Sequence, residues 1–261
     1  MTTRPAAVAN MFYSGDAPTL LHDIKKYIAK VIPGSTTPKA IIVPHAGYHY
    51  SGTVAAHAFA QIQQARHSIK KVVLLGPCHR VPLNGLALPS VDYFETPLGK
   101  IPLDREAMDN ILQLPQVQIF DQTHQQEHSL EVQLPFLQQI LDDFDLVPLV
   151  VGDASSSEVS EVIERLWGGD ETLIVISSDL SHFMDYDTAM LFDGKTCAAI
   201  ESLNGDALHF KDACGRIPIQ GMLESASRRH MKVTTLDMCN SGDTTGARDR
   251  VVGYGAWMFE E

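Results

Sequence analysis

Paired cysteines are missing from this chain. Its four cysteines, Cys78, Cys197, Cys214 and Cys239, lie far apart and form no CxxC, which excludes a zinc ribbon and a thioredoxin-type motif. Such usage fits a reduced compartment, where a cysteine is by default a small buried hydrophobe. Positive charge is also in short supply. Lys plus Arg number 20 against 32 Asp plus Glu, a formal net charge of -12, which repels phosphate backbones and anionic lipid and argues against nucleic acid or a membrane as partner. No apolar run approaches the roughly 18 residues a spanning helix needs. The opening MTTRPAAVANMFYSGD has no signal-peptide core, so a cytoplasmic location is expected. Internal repeats and low-complexity segments are absent as well. Without an HExxH or a carboxylate-rich two-metal pattern, a metal-dependent hydrolase with Asp179 or Glu131 as base ranks low.

What is present is a repeated local design. Three apolar segments each run through a tight turn to a histidine: AIIVPH to His45, VVLLGPCH to His79 and LIVISSDLSH to His182. Uniform Val, Ile and Leu reads as a strand buried on both faces, as in a parallel sheet covered by helices. Ligands of such sheets bind in the crevice beyond the carboxyl ends of the strands. If the three strands are neighbours, their histidines converge.

At 261 residues the chain suits one large α/β unit, and a single domain over 1–261 is expected. Apolar periodicity predicts helices over 18–32, from about 52, over 104–113, 128–141, 157–167, 185–202, 205–213 and 218–230. Strands are predicted at 40–43, 72–75, 145–151, 172–176 and in MKVTTLDM and VVGYGAWMF, with CNSGDTTGARD as a polar loop between the last two. Pro135 should kink its helix or delay its regular start. The Pro- and Gly-rich stretch 82–102 reads as antiparallel or edge elements beside the main sheet.

Several residues in the turns suit chemistry. His45 in PHAGY and His79 in GPCHR occupy equivalent places after their strands, a repetition that points to one shared site. Asp179 and His182 in SSDLSH stand at i, i+3, on one side of a helical turn, where an Asp can fix an imidazole tautomer or share in proton transfer. Asp179 could equally cap the helix starting there. His128 and Glu131 in EHSLE have the same spacing but a weaker signal, since acidic first turns are routine dipole partners. Cys214 in ACGRIP is followed by Gly215 and Arg216, which suits a thiolate at a helix start, although an inert buried cysteine is the simpler reading.

Taken in order, PHAGYHYSG, LGPCHRVP, EHSLEVQLPF, SSDLSHF and ACGRIPI resemble the Memo-like family, whose prokaryotic members are called AmmeMemoRadiSam system protein B. The resemblance runs from RPAAVANMFYSGD to the terminal strands. It implies an αβα sandwich around a mainly parallel or mixed sheet, similar to class III extradiol dioxygenases. It implies a metal site at His45, His79 and Cys214, with Asp179 and His182 lining the same pocket. Two histidines and a cysteine suit iron, copper or zinc. The prokaryotic name implies a radical-SAM partner protein, and the animal members imply phosphotyrosine peptide binding. The animal motif has a Trp near the N terminus where this chain has Phe12 and Tyr13, and a second His where it has Arg80.

Two readings follow. In the first, a mononuclear centre at His45, His79 and Cys214, with iron or copper and zinc as a third candidate, performs a redox step on a small molecule. Asp179 and His182 act in proton transfer, and Glu131 is peripheral. In the second, the scaffold only binds a ligand or peptide, through Arg80, Arg216, His128 and Phe12.

Overall fold

The helices that open at Ala17, Arg105, Ser156, Tyr186 and Ser241 each begin where a side chain takes up a free amide. The computed structural model describes residues 1–261. After the short strand β1 (Thr3–Arg4), Asp16 accepts from the Thr19 amide to open α1 (Ala17–Ile28), and Lys25 and Lys26 close it. Strand β2 (Ala40–Val43) leads to α2 (Tyr48–Gln61), which starts earlier than its periodicity suggests because Gly47 forms the cap and the Tyr48 amide donates to the Phe12 carbonyl. Then come β3 (Lys71–Pro77), β4 (Leu86–Leu88), the hairpin β5 (Tyr93–Thr96) and β6 (Gly99–Pro102), α3 (Arg105–Ile111), β7 (Val117–Ile119) and α4 (Asp121–Gln125). The predicted helix at 128–141 is confined to α5 (Leu134–Ile140), preceded by a 3-10 turn, because Pro135 fits only its first turn.

Strand β8 (Asp145–Val151) is followed by α6 (Ser156–Arg165), opened by a Ser155–Glu158 capping box with Val159, Val162 and Ile163 buried. Next are β9 (Thr172–Ser177), β10 (His182–Met184), α7 (Tyr186–Glu201), α8 (Arg216–Arg228), β11 (Lys232–Asn240), α9 (Ser241–Thr245) and β12 (Val251–Glu260). Two expectations are corrected. Segment 205–213 forms only a 3-10 turn, Gly205–Ala207: Leu208 and Ala213 alone are buried there, while Phe210 is exposed and Asp212 caps the His209 amide. The polar loop after β11 contains α9, capped reciprocally by Asn240 and Asp243.

The main sheet has nine strands in the order β10-β12-β2-β9-β3-β8-β4-β7, with β11 paired to β12. Its centre, β2, β9, β3 and β8, is parallel, and antiparallel pairs flank it on both sides. The sheet is therefore mixed, surrounded by helices: α1, α2 and α5 pack together, and α6 packs on α8, which lies against β3 and β9. Of the elements expected in 82–102, β4 joins the main sheet antiparallel to β8, while β5 and β6 form a separate three-stranded sheet with β1. One cluster of 69 buried residues fills the interior. In the central strands every residue of Ala40–Val43 and Thr172–Ser177 is buried, which is why those runs carry no polar alternation. No helix is long and apolar enough to cross a membrane.

Candidate metal centre

Parallel register decides what meets. Strands β2, β9 and β3 are consecutive, with Val43 opposite Ser177 and Leu75 opposite Ile176, so their chains leave the sheet at the same level. His45 and Asp179 follow β2 and β9, and His79 follows β3. Loop 127–129 brings His128 over the same spot. One nitrogen each from His45, His79 and His128 lies within 4.8 Å of the others. The ring centroids are 5.2 Å apart for His45 with His79 or His128, and 4.7 Å for His79 with His128.

Hydrogen bonds orient two of these rings, His45 and His79. The Ser177 hydroxyl donates to the Ser129 carbonyl at 2.6 Å and accepts from the Gln133 amide at 2.8 Å. Its only proton is thus committed, so the 2.8 Å contact with His45 Nδ1 is donated by the ring. His45 Nε2 keeps a bare lone pair. His79 Nδ1 lies 2.8 Å from Glu127 Oε1, and the carboxylate can only accept. In the neutral ring His79 Nε2 is bare as well. Glu127 is buried and also accepts from the amides of His79, His128 and Ser129. Burial alone would raise its carboxyl, but the bonds and charge of His79 and these amides hold it down to about 2.

His45 is 1% exposed, and burial, with the neighbouring imidazoles, keeps it well below the ordinary histidine range. Burial likewise lowers His128 to about 4. Although His128 Nδ1 is 3.3 Å from Glu127 Oε1, the angle allows no hydrogen bond, and this buried nitrogen has no partner.

Cys214 comes from the turn before α8, held close to the sheet because a Cβ on Gly215 would fall 2.6 Å from the Ser177 carbonyl oxygen. Its Sγ accepts from the Asp179 amide at 3.3 Å and lies 3.3 Å from His45 Nε2. Since that nitrogen carries no proton, the thiol donates. Burial, aided by the Asp179 charge, raises the thiol to about 12, in agreement with a protonated sulfur. Cys214 thus touches one member of the three-nitrogen group without belonging to it. The sequence reading had put Cys214 in the third place and His128 among ligand contacts, whereas the structure groups His128 with His45 and His79.

Asp179 Oδ1 accepts the amides of His45 and Ala46 at 2.7 and 3.2 Å, and Oδ2 lies 4.0 Å from His45 Nε2. Burial raises its carboxyl. His182 donates Nδ1–H to the Leu180 carbonyl at 2.8 Å, which in the neutral ring leaves Nε2 bare. Asp179 and His182 both line a cleft of about 400 Å³ with Phe12 and His128, but on a loop running into β10, without the helical turn their spacing suggested.

Glu131 is corrected. It is wholly buried, and its carboxylate is paired with Arg4 and accepts from the amides of Ala7 and Val8 and from the Tyr13 hydroxyl. No oxygen is left to serve the cleft. The predicted helix that would have set it beside His128 is replaced by turns. Arg216 is also corrected, since it turns along α8 to Gln220 and does not line the cleft. Arg80 is exposed at the edge and likewise does not line it. Phe12 packs in a tilted arrangement with its ring centroid 4.7 Å from that of His128. Residues that sequence reasoning passed over are Glu127, Ser177 and Gln133, which orient the rings, and Tyr50, Arg250 and Tyr254 in the cleft. Glu127, adjoining His128, and Ser177, in SSDLSH, had left a trace in the motifs.

The family model for Memo-like protein matches residues 4–258. The chain belongs to the Memo-like family. A MEMO1 family protein of Aquifex aeolicus is 37% identical over 99% of this chain and 100% of its own length. One of Metallosphaera sedula is 32% identical, covering 100% of both. Among solved structures, an uncharacterized protein of Escherichia coli K12, JW3007, has a TM-score of 0.55 at 11% identity, covering 85% of this chain and 100% of that one, a likeness of fold alone.

The residues of this Memo-like chain fit a bound metal ion. Two imidazoles are locked by carboxylate and hydroxyl partners with their outer nitrogens bare, an arrangement that raises ligand basicity. A third has a buried nitrogen with no partner, and a sulfur stands beside the first. Three nitrogens and a thiol suit iron, copper or zinc better than magnesium or calcium.

Proposed function

We propose that the protein is a metalloprotein whose centre is held by His45 and His79, completed by His128 or Cys214, and that it carries out a redox step on a small molecule in the adjoining cleft. The observation that carries this reading is the convergence of one imidazole nitrogen each from His45, His79 and His128 within 4.8 Å. Iron or copper, when bound, would supply the electron chemistry, with zinc as the non-redox alternative. The chain's own groups would handle protons: Asp179, whose carboxyl is raised by burial, would exchange one beside His45, and His182 Nε2 would accept one from the cleft. A class III extradiol dioxygenase-like scaffold, a cytoplasmic setting and a radical-SAM partner protein belong to the same proposal.

Elemental analysis of anaerobically purified protein tests it. Wild type should hold close to one metal per chain, and the double variant His45→Ala/His79→Ala none. Unchanged content in the double variant refutes the site. The third ligand is separable by proton count: if Cys214 ligates, its thiol must lose a proton, so Cys214→Ser should release one proton fewer on metal addition, while His128→Ala should not alter the count.

The protonated thiol of Cys214 favours a second reading, a ligand-binding module without turnover. Oxygen uptake by iron-loaded protein against a catechol panel separates the two. Silence there, with saturable ligand binding to metal-free protein, supports the module.

A further inference from the structure

Arg250 is the one Lys or Arg side chain lining the cleft, and it forms no ion pair with any carboxylate of the protein. It immediately precedes β12, whose edge carries β10. Pairing there shifts between His182 opposite Val252 and Met184 opposite Val251, so Phe183 is the extra residue of a bulge. Phe183 has φ 61, a left-handed conformation that costs a bulky side chain free energy. Its ring is 62% exposed, so core burial does not repay that cost. What the ring does meet is the Arg250 guanidinium, 4.9 Å from its centroid, and the edge of His182 at 5.7 Å. A strained exposed aromatic thus serves as a platform that holds a cation at the cleft.

The rest of the lining defines what such a cation would hold. Phe12, Tyr50, Val252 and Tyr254 line the cleft with apolar and aromatic surface, among polar groups that include His128, Asp179, His182 and Ser241. A ligand body between them must be largely apolar. Its charge is bounded as well: one guanidinium faces it, Asp179 shares the cleft, and the chain carries a net charge of -12. A dianion would outnumber its partner, whereas a carboxylate matches the planar fork of one arginine.

We propose that Arg250, stacked on Phe183, is the specificity residue of the cleft, and that the ligand is a small monocarboxylate with an apolar body. This deepens the reading that the cleft receives the small molecule, but it does not depend on the metal. Benzoate, its neutral isostere benzamide, and phenyl phosphate are the probes, titrated calorimetrically into metal-free wild type, Arg250→Gln and Phe183→Ala. Wild type should bind benzoate at least tenfold more tightly than benzamide and more tightly than phenyl phosphate. Arg250→Gln should erase the preference over benzamide, Phe183→Ala should weaken it severalfold, and both variants should take up metal like wild type. Equal binding of benzoate and benzamide, no binding of benzoate at millimolar concentration, or a preference that survives Arg250→Gln overturns the proposal. Tighter binding of phenyl phosphate overturns the carboxylate assignment. A wild type that discriminates benzoate yet takes up no metal sinks the metal centre alone.

Discussion

Glu127 shows how much one buried carboxylate can organise. It fixes His79 through both Nδ1 and the backbone amide, and it holds loop 127–129 through the amides of His128 and Ser129. Removing it frees the tautomer of His79 and loosens His128 together. Glu127→Ala should therefore lower metal affinity about 10- to 100-fold, the usual effect of losing an outer partner of a ligating histidine. Competition against a chelator of known affinity measures this, and an unaltered affinity would show that His79 is not a ligand. The residue scale is also where the sequence was hardest to read. His45 and His79 stood out because they repeat a position after a strand, but nothing in EHSLE told Glu127, which orients a ring, from Glu131, which does not.

The N-terminal segment is an element held in place from one point. Arg4 is 5% exposed and Glu131 0% exposed; around their ion pair the amides of Ala7 and Val8 and the Tyr13 hydroxyl converge on the same carboxylate. This buckle ties residues 4–13 against the turn before α5, and so carries Phe12 to His128 and its carbonyl to the Tyr48 amide. Glu131→Ala leaves a buried guanidinium unpaired, which should cost about 3–5 kcal/mol in urea unfolding. It should also expose the amides of residues 4–13 to hydrogen exchange. The double variant Arg4→Ala/Glu131→Ala should recover part of the loss, since it removes the orphaned charge too. An undiminished stability in Glu131→Ala would assign the segment's order to apolar packing. Among the element boundaries, the delayed start of α5 was legible from Pro135. Boundaries were not legible in 205–213, where Leu208 and Ala213 are buried but Phe210 is exposed, so the apolar residues share no helical face.

For the whole molecule, buried titratable groups set an acid limit. Burial holds His124 and His128 at about 4, against an ordinary value of 6.5. Between those values the unfolded chain binds more protons than the folded one, so stability falls as pH drops through this window. Glu127, held at about 2 against 4.5, adds a contribution that is present above the ordinary value and lost as pH falls toward 2. Both signs agree. The thermal midpoint of metal-free protein should decline from about pH 6.5 to about pH 4, and His128→Ala should flatten the decline; a level profile would show that these histidines are not held neutral.

What the sequence by itself determined is the menu of strands, their two-sided burial and the histidines waiting at their ends, because local periodicity and turn chemistry are written residue by residue. The order β2-β9-β3, which turns those separate ends into one crevice, was decided only by tertiary pairing. So was the exchange of roles between neighbours, with His128 drawn into the imidazole group and Glu131 turned away to Arg4. Both depend on contacts between residues more than a hundred positions apart, such as Arg4 with Glu131 at a separation of 127, and spacing along the chain carries no record of a distance closed by folding.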